Sequence, residues 1–201
     1  MGDMRFVDVS GPNGTPDGII NSLDKTVMGN PYPDFYYGMT NHFSYKNISL
    51  TISLQGQQGG QVLHTTWPGS NRNTRGRTNN LALENNYWKS PENPGDGITP
   101  RPNDAPTGNN RGEFYQAQLE SVTYLRINNI SLSYLIPDMI SKKMRLNAVR
   151  VYINSNNPFI FTNYSSFNPD SSTSGNSLTP GLDNNDYPLA KSLQLGLNVT
   201  F

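Results

Sequence analysis

Four oxygen-bearing side chains, Asp8, Asp17, Asn21 and Asp24, crowd a Gly-rich stretch near the start of the chain. Loops of this composition offer the hard oxygen ligands that calcium takes. The D-x-[DN]-x-[DN]-G spacing fails, however, because Ser10 and Pro12 occupy the next two ligand positions after Asp8. A tight turn held by Asp and Asn side chains is therefore the preferred reading, with calcium as the alternative. The only histidines, His42 and His64, lie far apart and have no carboxylate at a catalytic spacing. Glu113 and Glu120 flank the start of an alternating run and are candidates to pair with Arg111 or Arg126. Nothing marks them as an acid–base pair for glycoside hydrolysis, and no Ser–His–acid arrangement stands out. No catalytic residue and no cofactor are assigned, and the chain is read as a non-enzyme. Trp67 and Trp88 lie in a long polar stretch, where an indole face can stack on sugar, meet a partner protein or anchor its own loop. Arg72, Arg75 and Arg77 form a small basic cluster, read as a solvated loop face or as a contact for lipopolysaccharide.

Composition narrows the setting in which such residues act. Of 201 residues, 34% are apolar and only 15% charged, so the polarity comes from uncharged side chains. Eleven Tyr and eight Phe need burial or anchoring, which argues against a charged disordered tail. The formal net charge is zero, so electrostatic attraction to nucleic acid is not indicated. Cysteine is absent, which removes disulfides and thiolate metal sites. No apolar run is long enough for a membrane-spanning helix, but a barrel strand needs only about 9–11 alternating residues. The first residues carry no signal peptide.

The positioning elements are strands. Residues 1–34 read as loop. Phe35, Tyr37, Met39, Phe43 and Tyr45 then alternate with polar or small residues, and Ile48, Leu50, Ile52 and Leu54 alternate with Asn, Ser and Thr. A period of two puts each set on one face of a strand, and the short connection at Lys46 makes 35–57 a hairpin. A Pro- and Asn-rich stretch at 58–118 follows as a long loop. A second hairpin spans 119–157, with one strand from about Leu119 to Ile136, a short basic turn through Lys142 and Lys143, and a strand from about Leu146 to Asn156. Residues 158–190 form another long loop. The terminal strand, 191–201, sets Leu193, Leu195, Leu197, Val199 and Phe201 against Ser192, Gln194, Gly196, Asn198 and Thr200.

Connections thus run long, short, long, short, long. Outer-membrane barrels have this asymmetry, with short periplasmic turns and long extracellular loops. The fold class expected is all-β: an antiparallel up-and-down transmembrane barrel, present as about five of its last strands. A soluble β-sandwich, such as a secreted carbohydrate-binding module, is the rival, and a passive porin or adhesin fragment a third reading. Five strands cannot close a membrane barrel, and an open edge in hydrocarbon leaves backbone groups unpaired. The remaining strands are therefore expected from elsewhere in a longer protein.

The chain resembles the C-terminal portion of SusC/RagA-type TonB-dependent outer-membrane transporters. The likeness rests on DVSG at 8–11, PDGIIN at 16–21 with Asp24, VMGNP at 27–31 with Pro33 and Phe35, and FSYKNISL at 43–50 with LQGQQG at 54–59. It continues through YLRINNISLSY at 124–134, VRVY at 149–152, NNPF at 156–159, Tyr187 with Pro188, and GLNVTF at 196–201. Residues 61–113 support it least, and the family's plug, TonB-contacting segment and most of its barrel are not in this chain. The resemblance implies location in the cell outer membrane, uptake of oligosaccharides or peptides, and a SusD-like surface lipoprotein as partner. It further implies contact with the TonB complex through the absent N-terminal part, with outer-membrane lipid, and with the barrel-assembly machinery. For the last, the terminal strand residues Leu195, Leu197, Val199 and Phe201 would serve as the signal.

Overall fold

The computed structural model describes residues 2, 5–65, 86–97, 99, 101, 116–170, 180–184 and 186–201. The chain divides into two compact units: residues 1–30, 62–120 and 172–185 in one, and 31–61, 121–171 and 186–201 in the other.

The second unit is a five-stranded antiparallel sheet. Its strands are β1 (Pro33–Tyr45), β2 (Ile48–Gly59), β5 (Tyr124–Leu135), β6 (Ala148–Thr162) and β8 (Ser192–Thr200), in that spatial order. Each pairs with its neighbour in an up-and-down meander. Register places Phe43, Leu50, Leu132, Ile153 and Leu195 side by side across all five strands. The next row on that face holds Tyr45, Ile48, Tyr134, Val151 and Leu197. Directly behind, on the opposite face, the rows read His42, Thr51, Ser131, Asn154, Gln194 and Thr40, Ser53, Asn129, Asn156, Ser192. Alternation along each strand has become one apolar and one polar face of the whole sheet.

Among the described residues the apolar face has no lid. Phe43 is 58% exposed and Leu195 78% exposed, although a soluble sheet would bury such a row against a second layer. The outer edges of β1 and β8 also have no strand partner among the described residues. Both features are liabilities in water, one by apolar surface and the other by unpaired backbone groups.

The two strand-end rims differ in kind. At one rim β1 turns into β2 through Lys46 and Asn47 alone, and β5 reaches β6 through a single short helix, α1 (Asp138–Lys143). Lys46 takes a φ of 51°, the left-handed conformation that two-residue hairpin turns demand at their first central position. Asn47 locks the turn to the neighbouring strand by donating from Nδ2 to the Leu135 carbonyl at 2.7 Å. α1 ends in a Schellman motif: the Arg145 amide donates to Lys142 O and the Leu146 amide to Ser141 O, with Arg145 left-handed at φ 61°. All the long connections leave or enter the sheet at the other rim.

Two expectations about strand limits change. The run from Leu119 to Ile136 is not one strand: β4 (Leu119–Ser121) belongs to another sheet, and β5 begins only at Tyr124. Between them the Val122 amide donates to Gly60 O, and the Thr123 hydroxyl accepts from the Gly59 amide. β6 runs on beyond Asn156 to Thr162, so Phe159 and Phe161 are strand residues. The register shifts between Ile127 and Asn129, which bypasses Asn157 (φ 49°) and Pro158 before pairing resumes at Phe159. A bulge of this kind tolerates a proline that a regular ladder would reject.

In the other unit, β3 (Gln61–His64) lies between β4 and β7 (Leu182–Asp183), and its pairing with β7 is parallel. β3 and β7 fall in stretches read from sequence as loop, 58–118 and 158–190.

Candidate functional site: the polar face of the sheet

Period-two alternation alone places the polar side chains together, and their short hydroxyl and amide groups reach one another across the strands. Thr40 and Ser53 hydroxyls lie 3.0 Å apart, and the His42 ring meets Thr51 Oγ1 through Nδ1 and Ser44 Oγ through Nε2, both at 2.9 Å. Asn129 Nδ2 donates to Asn154 Oδ1 at 2.6 Å and to Asn156 Oδ1 at 2.8 Å. Asn156 Nδ2 in turn reaches Ser192 Oγ at 3.1 Å. The result is a neutral, hydrogen-bonded wall rather than a charged one.

Near the long-connection rim the wall carries a strongly ordered charge. Arg126, 4% exposed, donates from Nη1 to Asp170 Oδ2 at 2.8 Å and from Nη2 to Asn168 Oδ1 at 2.9 Å. Its guanidinium also lies 4.8 Å from the centroid of the Tyr124 ring, whose hydroxyl bonds Asp170 Oδ2 at 3.1 Å. Burial of a guanidinium is tolerated because its donors are met and its face rests on an aromatic ring. Gln57 Nε2 donates to Val122 O at 2.8 Å beside this cluster. Tyr36, Tyr37, Gln55, Gln57, Tyr124 and Asp170 line a shallow recess there.

Glu120 does not pair with Arg126 as the sequence suggested. Its carboxylate meets the buried His64 ring, Oε1 to Nδ1 at 3.2 Å, because β4 and β3 are neighbours in the small sheet. Sequence reasoning missed Asp170 and Asn168 as partners of Arg126. The signal available was the FNPD stretch at 167–170, a run of turn-forming residues that holds both acceptors.

The N-terminal quartet is brought together. Asp24 accepts backbone N–H groups from Val9 at 2.9 Å, Ser10 at 3.2 Å and Asn21 at 2.8 Å, while Asn21 Oδ1 caps the 3-10 turn Ser22–Asp24 through Leu23 N. Asp8 accepts from Gly18 and Asp17 from Ile19. The Asn21 amide, followed by those of Ser10 and Val9, holds the Asp24 carboxyl below its ordinary value of 3.8. These oxygens are turning the backbone, and no group of three or more acidic or histidine side chains is arranged around a cation among the described residues. The Trp88 ring packs on Gly2, leaving no room for a Cβ there, and its amide donates to Thr99 O at 3.1 Å. It anchors its own loop. Trp67, Arg72, Arg75, Arg77, Arg111 and Glu113 lie outside the described residues.

No protein-family profile matches the chain. Relatives do. A TonB-dependent receptor, P26 of Formosa agariphila, is 30% identical over 208 residues that cover 100% of this chain. SusC of Bacteroides thetaiotaomicron, also a TonB-dependent receptor, is 29% identical over 98% of it. The chain belongs to the SusC/RagA-type TonB-dependent receptors. It spans about a fifth of these relatives' length, 20% of P26 and 17% of SusC. In fold the match is to the RagAB peptide importer in its closed-closed state, with a TM-score of 0.71 over 95% of the chain at 20% identity. A second RagAB structure gives 0.70 over 90%. The five-stranded meander is thus a stretch of a RagA-like barrel wall.

Proposed function

We propose that this chain is part of the wall of an energy-coupled outer-membrane transporter for oligosaccharides or peptides. The observation that carries the reading is the uncovered apolar face, continuous across all five strands and backed by an unbroken polar face. Such a sheet is stable only where hydrocarbon covers one side and water or a polar plug the other. The short connections face the periplasm and the long ones the cell exterior. There the long loops, Trp67 among them, meet substrate or a SusD-like lipoprotein. The TonB complex engages the upstream part of the protein. Leu195, Leu197, Val199 and Phe201 are the stretch read by the barrel-assembly machinery.

Two further findings support this reading. The relatives are named TonB-dependent receptors, and the fold neighbour imports peptides. A secreted sandwich module has no comparable support, since nothing among the described residues covers Leu195 or Phe43.

The test is expression of the full-length receptor in a host with and without its TonB system, followed by membrane fractionation and uptake of labelled oligosaccharides and peptides. Outer-membrane recovery with TonB-dependent uptake of one class is expected. Recovery as a soluble secreted protein would overturn the proposal.

A further inference from the structure

We propose that α1 and the Lys46 turn form a membrane-surface foot that binds the anionic headgroups of phospholipids at the short-connection rim. The inference rests on the transmembrane reading and adds a lipid site to it.

α1 is too short to stabilise itself, and it is held by its surroundings: Ser141 is fully buried, and the Schellman motif closes the end. What it presents outward is unusual for a surface turn. Met139 is 75% exposed, and Ile140 and Met144 are about half exposed. Interleaved with them are Lys142, Lys143 and Arg145. On the adjacent hairpin, the Lys46 ammonium lies 5.3 Å from the centroid of the Tyr45 ring, which stands on the apolar face of the sheet. Among the described residues, the side chains of Lys46, Lys142, Lys143 and Arg145 on α1 and the hairpin turn stand against one side-chain carboxylate on those two elements, Asp138, which Lys142 meets only at an exposed 3.8 Å.

Apolar side chains set among long cationic ones match a phospholipid boundary. The methionines and isoleucine enter the acyl edge, while Lys and Arg extend to the phosphates. Continuity supports the same occupant, because the patch adjoins the row Tyr45, Ile48, Tyr134, Val151, Leu197 that faces hydrocarbon. Arg145 strengthens the case. A glycine suits its left-handed position better, so the charge is present despite the backbone preference.

The test uses the full-length receptor in vesicles of zwitterionic lipid with or without phosphatidylglycerol. This chain contains no cysteine, so with any cysteine upstream of it replaced by serine, single reporters are introduced by Met139→Cys, Leu195→Cys and Gln194→Cys and labelled with a polarity-sensitive fluorophore. Brominated phosphatidylglycerol should quench the label at position 139 more strongly than brominated zwitterionic lipid does. The combined Lys142→Gln, Lys143→Gln and Arg145→Gly changes should weaken that preference by on the order of a hundredfold. Arg145→Gly alone relieves the left-handed strain and should weaken it roughly fivefold without unfolding. If position 195 is quenched while position 139 answers only to an aqueous quencher, the foot is overturned and the barrel stands. If 195 and 194 both answer only to the aqueous quencher, the transmembrane reading has failed instead.

Discussion

Leu195 and Gln194 are adjacent on one strand yet stand on opposite faces, which makes them a matched pair for testing which face meets lipid. Leu195 completes the row Phe43, Leu50, Leu132, Ile153, and Gln194 completes the row His42, Thr51, Ser131, Asn154. Both lie near the middle of β8 (Ser192–Thr200), so depth in the bilayer is nearly the same for the two. An arginine introduced at a lipid-facing site near the bilayer midplane costs about 2–4 kcal/mol, whereas substitutions on the lumen side change stability far less. Leu195→Arg should therefore lower the folding free energy of the full-length receptor in vesicles by about 3 kcal/mol, and Gln194→Arg by less than about 1 kcal/mol. Reversible urea titration in thin-bilayer vesicles, read by tryptophan fluorescence and by heat-modifiable gel mobility, measures both. Equal losses at the two positions, or a larger loss for Gln194→Arg, would refute the assignment of faces. The assay separates it cleanly from simple overpacking, because Leu195 is 78% exposed within the chain and meets little protein.

Removing the acceptor from a buried guanidinium should be costly. Asp170→Asn leaves Arg126 without its ion pair and is expected to destabilise by about 3 kcal/mol, with Arg126→Met in addition restoring part of that; a double-mutant cycle in urea measures it. Gly196 sits where a Cβ would strike the Tyr152 ring on the same face, so Gly196→Val should cost about 1–3 kcal/mol. Adding Tyr152→Ala should recover much of it in the same titration. Asp24 has its carboxyl held below 3.8 by backbone N–H groups, so its contribution is complete above that value and fades as pH falls through the lowered one. Hydrogen exchange at the Val9, Ser10 and Asn21 amides should rise in that acid window and, for Asp24→Asn, at neutral pH as well. Unchanged protection in either case would contradict the capping role.

Much of the sheet was legible because its faces are written at a period of two. β1, β2 and β8 could be placed almost to the residue, for Ile48, Leu50, Ile52, Leu54 and Leu193, Leu195, Leu197, Val199 leave little choice of register. Legibility failed where pairing rather than pattern sets the limits. Asn157 and Pro158 look like a loop start, yet the bulge opposite Asn128 lets β6 continue to Thr162. Leu119 and Glu120 continue the alternation of β5 in sequence, but their partners lie on β3. The Arg126 cluster was hidden for a related reason: its acceptors, Asn168 and Asp170, stand more than 40 residues away in a turn-rich stretch with no periodicity to place them.

The parallel pairing of Leu63 with Leu182 and of His64 with Asp183 has a consequence for the order in which the protein is made. The hairpins of the sheet close between neighbours in the chain, a matter of small entropy and short times. The other unit is stitched from residues 1–30, 62–120 and 172–185, so β3 must wait for a partner nearly 120 residues further along the chain. High contact order slows such closure, and the waiting segments carry their apolar and unpaired groups meanwhile. The strand pair β3 and β7 can close only once residues 180–184 are present, so this long-range step, rather than hairpin formation, limits how fast that small sheet is completed.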